Sequence, residues 1–399
     1  MAANLWGRAL ARHSIALALV VAVLAAAAAP LPPLVDAATG AEPADAELVR
    51  PVLYTVLAPL SNTFDALTFL SLPRAEGFLL TAALGLALWG AVLEGSKRRR
   101  VVRALLGPLA LLVLVAAVVL LPRPVPRLVT AGGADVLDYH AHTAASHDGR
   151  GGWTPEKLAR WHAAQGFTGS YVTDHNVVFA PAAGQTAVAL LPGVEWSLFR
   201  LHLVAIGPVR ELDRRAYGGD MEHLLGVFAE LRRQGALSIG SLPEYWRNHR
   251  EGLGALVVAG IDGFEIVNCA PKAIGFDAAA RADVVRLARA RDLLMVGASD
   301  NHGWGRVTCA WNLTVPGVRG TAANRVVARP VALAQGEYSS ASALLTQPWL
   351  MFRALSWPER VSWLTWIALI TLYRGVPARH GQRRGFGILA RSLAGRPPE

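Results

Sequence analysis

Apolar residues fall in long unbroken runs in the first third of the chain and in short, punctuated runs after it. Residues 14–30, 77–95 and 101–121 are almost wholly Ala, Leu, Val and Gly, with Glu94 and Arg103 as the only charges. A helix needs roughly 20 apolar residues to cross a bilayer core, so these three segments are read as membrane spans. The first has a rival reading, because Arg8 and Arg12 precede an apolar core that ends in Ala25–Ala29, as in a cleaved secretory signal; an uncleaved anchor is favoured. Val361–Tyr373 is also apolar but short, and only a count from Pro358 to Val376 reaches the length of a marginal fourth span or an interfacial helix. Trp357, Trp363 and Trp366 suit an interface belt there.

From about residue 135 the pattern changes. Short apolar runs predict strands at Val136–His140, Gly169–Thr173, Ala187–Pro192, His202–Ile206, Ala236–Ile239, Gly263–Val267, Leu293–Val296 and Thr308–Leu313. Helical spacing predicts helices at Pro155–Gln165 with Thr154 as N-cap, at Met221–Gln234 and at Ala278–Arg291. Such alternation argues for an α/β fold with parallel strands. The chain divides into a membrane region (1–122), a Pro-rich linker (123–134), a soluble-type domain (135–335) and a basic tail (336–399).

Composition sharpens this division. Hydrophobic residues make up 53% of the 399 residues and charged residues 17%, against about 25% charged in soluble domains. The net charge of +10 suggests nucleic acid until it is located. The excess lies at 97–103 and in the tail beyond residue 345, both beside apolar segments, while 123–345 is nearly neutral. That distribution reads as membrane topology, and no nucleic-acid partner is expected. Lys97, Arg98, Arg99, Arg100 and Arg103 place the loop between the second and third spans in the cytoplasm, so the domain after Pro122 is external or periplasmic. Arg374, Arg379, Arg383 and Arg384 fit the cytoplasmic side if the tail spans. Two cysteines, Cys269 and Cys309, exclude a Cys-rich zinc module; a single disulfide or two buried thiols both fit.

The chemistry lies in where His, Asp and Glu fall. His140 and His142 close the first domain strand, two apart and therefore on one face. Asp148 follows in a turn, His175 ends the second strand, Glu195 follows the third, His202 opens the next, and Asp300 and His302 follow the strand at 293–296. Singly, each has an ordinary explanation as a surface group, a satisfied turn or a helix cap. Jointly, imidazole and carboxylate at strand ends suit zinc, manganese or iron, and a bridging carboxylate permits a two-metal site that activates water. Arg306, Lys272 and Arg200 are candidates to grip a phosphate.

The order HAHT…SHDG, TDHN, PGVE, His202 before IG, DGFEIVN and GASDNH resembles the polymerase and histidinol phosphatase (PHP) superfamily over residues 135–315. The resemblance implies a distorted (β/α)7 barrel and a metal-dependent phosphoesterase with two ions, or three. It implies that His140, His142, Glu195 and Asp300 hold one cation and that Asp148, His175 and His302 hold another. Glu195 would bridge to a third together with His202. The family's Ala-His-Pro segment reads Ser241-Leu242-Pro243 here, so Leu242 stands at a ligand position and the third site is weakened, with Glu244 or His249 as substitutes. His147 and Asp174 are expected beside the ligands. The expectation is thus a multi-pass inner-membrane protein with an external hydrolase domain acting on a small phosphorylated substrate. The rivals are a hydrolase of another bond and a non-catalytic sensor or scaffold.

Overall fold

The computed structural model describes residues 2–92, 96–181, 186–198, 200–217, 220–273, 276–315, 318 and 320–375. Its strands are β1 (Val35–Asp36), β2 (Ala46–Val49), β3 (Arg127–Thr130), β4 (Asp135–Ala141), β5 (Gly169–Val172), β6 (Ala189–Leu198), β7 (Leu201–Ile206), β8 (Leu237–Gly240), β9 (Gly263–Asn268), β10 (Leu294–Ala298), β11 (Ala310–Thr314) and β12 (Asn324–Ala328). Ten of them form one sheet in the order β1-β12-β11-β4-β5-β6-β7-β8-β9-β10, and β2 and β3 pair separately.

The expected (β/α)7 barrel of parallel strands is not what forms. Parallel pairing is confined to β4–β5–β6 and β8–β9–β10. β7 runs antiparallel to both its neighbours, and β11 runs antiparallel to β4 and β12. The cause is loop length. Only residues 199 and 200 separate β6 from β7, and a parallel crossover needs a dozen residues or more. Arg200 carries the left-handed φ of 57° that turns this hairpin. Glu195 consequently lies within a strand rather than beyond its end. β1, β2, β3 and β12 were not expected.

The mixed sheet curls until its parallel portions meet at one end. Asp300 N donates to His140 O (2.8 Å) and His142 N donates to Asn301 O (3.2 Å). Asn312, from β11, donates to the carbonyls of Leu137 (2.9 Å) and Gly297 (2.6 Å) and accepts from Gly297 N (2.7 Å). These bonds bring the end of β4 beside the segment that follows β10. They also hold Asp300 at φ 47°, a conformation that costs a non-glycine residue energy and persists only when its surroundings impose it.

The helices Pro155–Gln165 and Met221–Gln234 match their sequence reading, and the third runs Ala278–Ala290. Thr154 occupies the N-cap position, but its side chain accepts no backbone bond there. The main core joins Trp196, Phe228, Leu231, Phe264 and Val284, all at most 2% exposed. Leu242 belongs to this core, at 0% exposure.

Among the described residues, two helices are long and apolar enough to cross a membrane, Leu72–Val92 and Lys97–Leu120. They correspond to the expected second and third spans; Glu94 and Gly95 lie outside the described residues. The positive run does not form a loop: Ser96 caps Arg99 N, and Lys97 begins the helix. A Cβ on Gly90 would lie 2.7 Å from the backbone nitrogen of Ala104, so glycine sets the close approach of the two helices. The apolar part of the first helix, Ser14–Ala26, is shorter than a span, and its Val23 and Ala26 pack on Met351, Phe352 and Trp363. The tail forms the helix Trp357–Gly375, which among the described residues is not one of the two apolar enough to cross. Glu359 and Arg360 are buried in protein, with Arg360 donating to Val23 O (3.0 Å). Trp363 and Trp366 donate to Asn62 Oδ1 and Val56 O. Val376, Arg379, Arg383 and Arg384 lie outside the described residues. Of the expected linker, Arg123 is drawn into an ion pair with Asp65, and 127–130 is β3.

Candidate metal centre

The cluster assembles where β4, β5, β6 and the segment after β10 converge. His140 and His142 project from the end of β4, and both rings are buried. Their tautomers follow from their outer nitrogens. His140 Nδ1 lies 2.6 Å from Glu265 Oε1, an acceptor, so Nδ1 carries the proton. The Ser146 hydroxyl gives its one proton to Asp174 Oδ1 (3.1 Å) and accepts from His175 N (2.9 Å), so His142 Nδ1, at 2.9 Å, must donate to it. In the neutral rings, the forms that bind a metal, both Nε2 atoms therefore present lone pairs, and they face each other at 2.9 Å.

Two carboxylate oxygens close the group. Glu195 Oε2 lies 3.2 and 3.3 Å from the two Nε2 atoms, and Asp300 Oδ1 lies 3.6 and 3.1 Å from them. Four ligands at about 2.1 Å from a tetrahedral ion would stand about 3.4 Å apart. The oxygens that face the two Nε2 atoms, Glu195 Oε2 and Asp300 Oδ1, meet only imidazole nitrogens, with no backbone, amide or guanidinium donor on them. Facing lone pairs and buried acceptors repel one another unless positive charge sits among them, and the donor set fits a divalent ion.

A second group lies alongside. His302 gives Nδ1 to Asp300 O (3.0 Å) and turns Nε2 to Asp148 Oδ1 (3.1 Å) and to His175 Nε2 (3.4 Å). Asp148 sits in the turn 143–149, where a Cβ on Gly149 would collide with the Thr143 carbonyl. His175 spans the two groups, with Nδ1 3.0 Å from Glu195 Oε2 and Nε2 3.6 Å from Asp148 Oδ1.

The electrostatics match. Burial opposes ionisation of Glu195 and Asp300, yet His140 and its neighbouring imidazoles hold both carboxyls below their ordinary range. Burial works against protonated His140, but Glu195, Asp300 and Glu265 outweigh it and raise the group well above its ordinary value, so that without an ion a proton takes the place at Nε2 that a cation would take. His142 falls to about 4, through burial and the positive charge of His302. Asp148 is lowered, against its burial, by His302, His175 and His147. Buried carboxylates that stay ionised call for positive charge at their centre.

The third group is reshaped. His202 turns Nδ1 to Glu195 Oε1 (2.6 Å) and Nε2 to the Tyr245 hydroxyl (2.9 Å). Leu242 packs in the core, and Glu244, two residues further, takes that corner with Oε2 3.7 Å from His202 Nδ1. Burial, with Asp300 next, raises the Glu244 carboxyl. His249 is half-buried and its Nε2 bonds Arg200 O (2.9 Å), away from the cluster.

The phosphate candidates separate. Lys272 stands at the mouth, 3.6 Å from Glu244 Oε1 and 4.0 Å from Asp148 Oδ2. Arg200 is exposed in the β6–β7 turn. Arg306 donates from Nε and Nη2 to the carbonyls of Val119 and Leu120, capping the last turn of the helix Lys97–Leu120. His147 is exposed with its ring 4.9 Å from that of His175, and Asp174 positions the Thr143–Ser146 turn. Cys269 and Cys309 form a disulfide.

Sequence reasoning passed over Glu265, Ser146, Tyr245 and the Asp138–His162 pair (2.8 Å). Glu265 had a signal: it is a lone charge at the centre of the otherwise apolar strand β9. Its Oε2 also accepts from Ser241 Oγ (2.7 Å) and Asn268 Nδ2 (2.9 Å), which fixes the carboxylate that orients His140.

Fold and site together define an α/β protein with a buried His/carboxylate cluster able to hold metal ions. No protein family matches the sequence, and no curated protein does. Among solved structures, PsfC from Pseudomonas syringae PB-5123 is similar at 18% identity, over 54% of this chain and 96% of that one, with a TM-score of 0.37. The lesion-specific endonuclease PfuEndoQ from Pyrococcus furiosus is similar at 13% identity, over 45% of this chain and 52% of that one, with a TM-score of 0.30. Likenesses of that grade decide nothing about this chain's activity.

Proposed function

We propose that this chain is a membrane-anchored, metal-dependent hydrolase of phosphate esters, with its catalytic unit in residues 135–335. The observation that carries the reading is the group of four buried donor atoms on His140, His142, Glu195 and Asp300, whose histidine tautomers are fixed with lone pairs inward. The motif resemblance to the PHP superfamily supports phosphoester chemistry.

In this reading His140, His142, Glu195 and Asp300 hold one cation, and Asp148, His175 and His302 hold a second. Manganese, zinc and iron all suit the donors. When bound, such ions acidify a water and stabilise charge on phosphoryl oxygens. The chain's own residues do the rest. Glu265 and Ser146 keep the imidazoles in register, and Lys272 offers an ammonium at the mouth for a phosphate oxygen. His202, with Nδ1 at Glu195 Oε1 and Nε2 at the Tyr245 hydroxyl, is the candidate to pass a proton to the leaving alcohol.

The domain is placed outside the cytoplasm, with Lys97–Arg103 inside. The Cys269–Cys309 disulfide supports that side, because disulfides persist in oxidising compartments. A reporter active only in the periplasm, fused after residue 330, is expected to be on; a dark fusion reverses the topology. Activity is tested with the purified full chain, manganese and a chromogenic phosphodiester. Hydrolysis is expected, with loss to background in a His140→Ala, His142→Ala double variant. Full activity in that variant removes the reading.

A further inference from the structure

One cavity of about 460 Å³ joins the candidate metal centre to the membrane-type helices. Its polar end is lined by Asp148, His175, Asp300 and His302, with Lys272 and Glu244 beside them. Its other end is lined by Leu72, Phe78, Leu79, Val115, Val118 and Val119. Those six come from the start of the helix Leu72–Val92 and the end of Lys97–Leu120, the ends opposite the Lys97–Arg100 run. The loops that carry the site are bonded to the same helix ends. Leu72 N donates to Pro271 O (2.8 Å), next to Lys272, and Arg306 caps Val119 and Leu120 four residues after His302.

A site for a small polar phosphate needs no apolar wall of this kind, and ligand sites match their lining to the ligand. On their outer surfaces the same helices expose Leu80, Leu84, Leu109 and Leu112, as helices facing lipid do. The cavity therefore runs from an apolar, lipid-like surrounding to a cation-binding, phosphate-suited end.

We infer that the substrate is an amphiphile drawn from the bilayer, a phosphate ester whose hydrocarbon chain lies between the two helices while its phosphate meets the metal centre. The inference rests on the hydrolase reading above and names its substrate class. Water adds across the scissile P–O bond; its oxygen stays on phosphorus and its proton leaves with the alcohol. The chain, bound away from the reacting atoms, contributes binding energy that aligns the phosphate.

The test uses the full chain in lipid nanodiscs with manganese, and compares octyl p-nitrophenyl phosphate with methyl p-nitrophenyl phosphate. Each methylene taken out of water favours binding about fourfold, so kcat/KM for the octyl ester is expected to exceed that for the methyl ester at least ~10-fold. Val115→Trp fills the cavity from one helix and Leu79→Trp from the other. Either plug should bring the octyl-to-methyl ratio towards one, so misfolding of a single variant decides nothing. Hydrolysis of the methyl ester with a ratio near one in the wild type overturns the inference and leaves the hydrolase reading standing. A large ratio that survives both plugs also overturns it, since the gain is then partition into the disc. If neither ester is cleaved, the hydrolase reading fails, and calorimetric binding of octyl against methyl phosphonate decides the cavity. A preference for octyl that both plugs abolish sustains it, and equal binding sinks it.

Discussion

Asp65 and Glu195 are both buried carboxylates, and they are treated differently by their surroundings. Asp65 lies where the N-terminal helices meet the domain. It pairs with Arg123 and with Arg329 (2.7 Å) and accepts from the Tyr54 hydroxyl (2.8 Å). Its neighbour Glu359 pairs with Arg50 (3.2 Å) and accepts from Asn62 (2.8 Å) and Ser356 N (2.7 Å). Three guanidinium groups face two carboxylates there. Around Glu195 stand Asp300, Asp148 and Glu265 with imidazoles only, and the ammonium of Lys272 reaches no nearer than Asp148 and Glu244. The first network carries its own counter-charge and holds two parts of the chain together. The second turns imidazoles and carboxylates inward on a common centre with no guanidinium among them. Burial is common to both, so burial alone marks neither; carboxylates answered by exchangeable imidazoles rather than by fixed guanidinium groups mark the ligand site.

Breaking the first network is expected to have the largest effect on stability. Asp65→Asn strips the partner from two buried arginines, and loss of one member of a buried pair costs about 3–5 kcal/mol. A thermal melt reads this, and metal content per folded chain should not change. Asp65 also carries a pH signature. Burial pushes its carboxyl up, but Arg123 and Arg329 bring it below the ordinary carboxylate value. A depressed folded value means that its stabilisation is complete above the unfolded value, about 3.9, and fades as pH falls from there through the folded value. In Asp65→Asn that part of the acid sensitivity should vanish. An equally acid-sensitive variant would show that Asp65 is not the group responsible.

The second network is probed more gently through Glu265→Gln, which keeps the shape and removes the charge behind His140. Loss of such an outer partner weakens metal binding about 10–100-fold, with little change in the melting of the metal-free protein. A variant that melts lower yet binds metal as tightly as the wild type would make Glu265 a structural residue like Asp65.

Much of the second network was legible because its chemistry is local in sequence. His140 and His142 two apart at a strand end, or Asp300 and His302 after one, can be read without knowing how the strands pair. The pairing itself was misread at β6–β7. Apolar spacing makes the interval from Pro192 to His202 look like a connection between parallel strands, although it has no room for a crossover; β6 in fact runs on through Glu195 to Leu198 and turns back. Leu242 was read by position in a motif, whereas the local helix Leu242–His249 buries it and offers Glu244 and Tyr245 in its place. Arg306 was assigned to phosphate because it follows the ligand pair. Its use as a cap on a helix 186 residues earlier in the chain depends on tertiary docking that no local pattern encodes. The Asp65 network was invisible for the same reason, since Asp65 and Arg329 lie 264 residues apart.

The central claim is that the His/carboxylate cluster is a metal centre, and the most direct test is elemental analysis of the purified full chain after exhaustive dialysis, beside the Glu195→Ala variant. Because Glu195 touches both groups, the account predicts about two transition-metal ions per wild-type chain and a marked loss in the variant, with thermal stability restored to chelated wild type by manganese or zinc but not to chelated variant. A wild-type chain that holds no metal, and whose melting does not respond to any of manganese, zinc or iron, would contradict it.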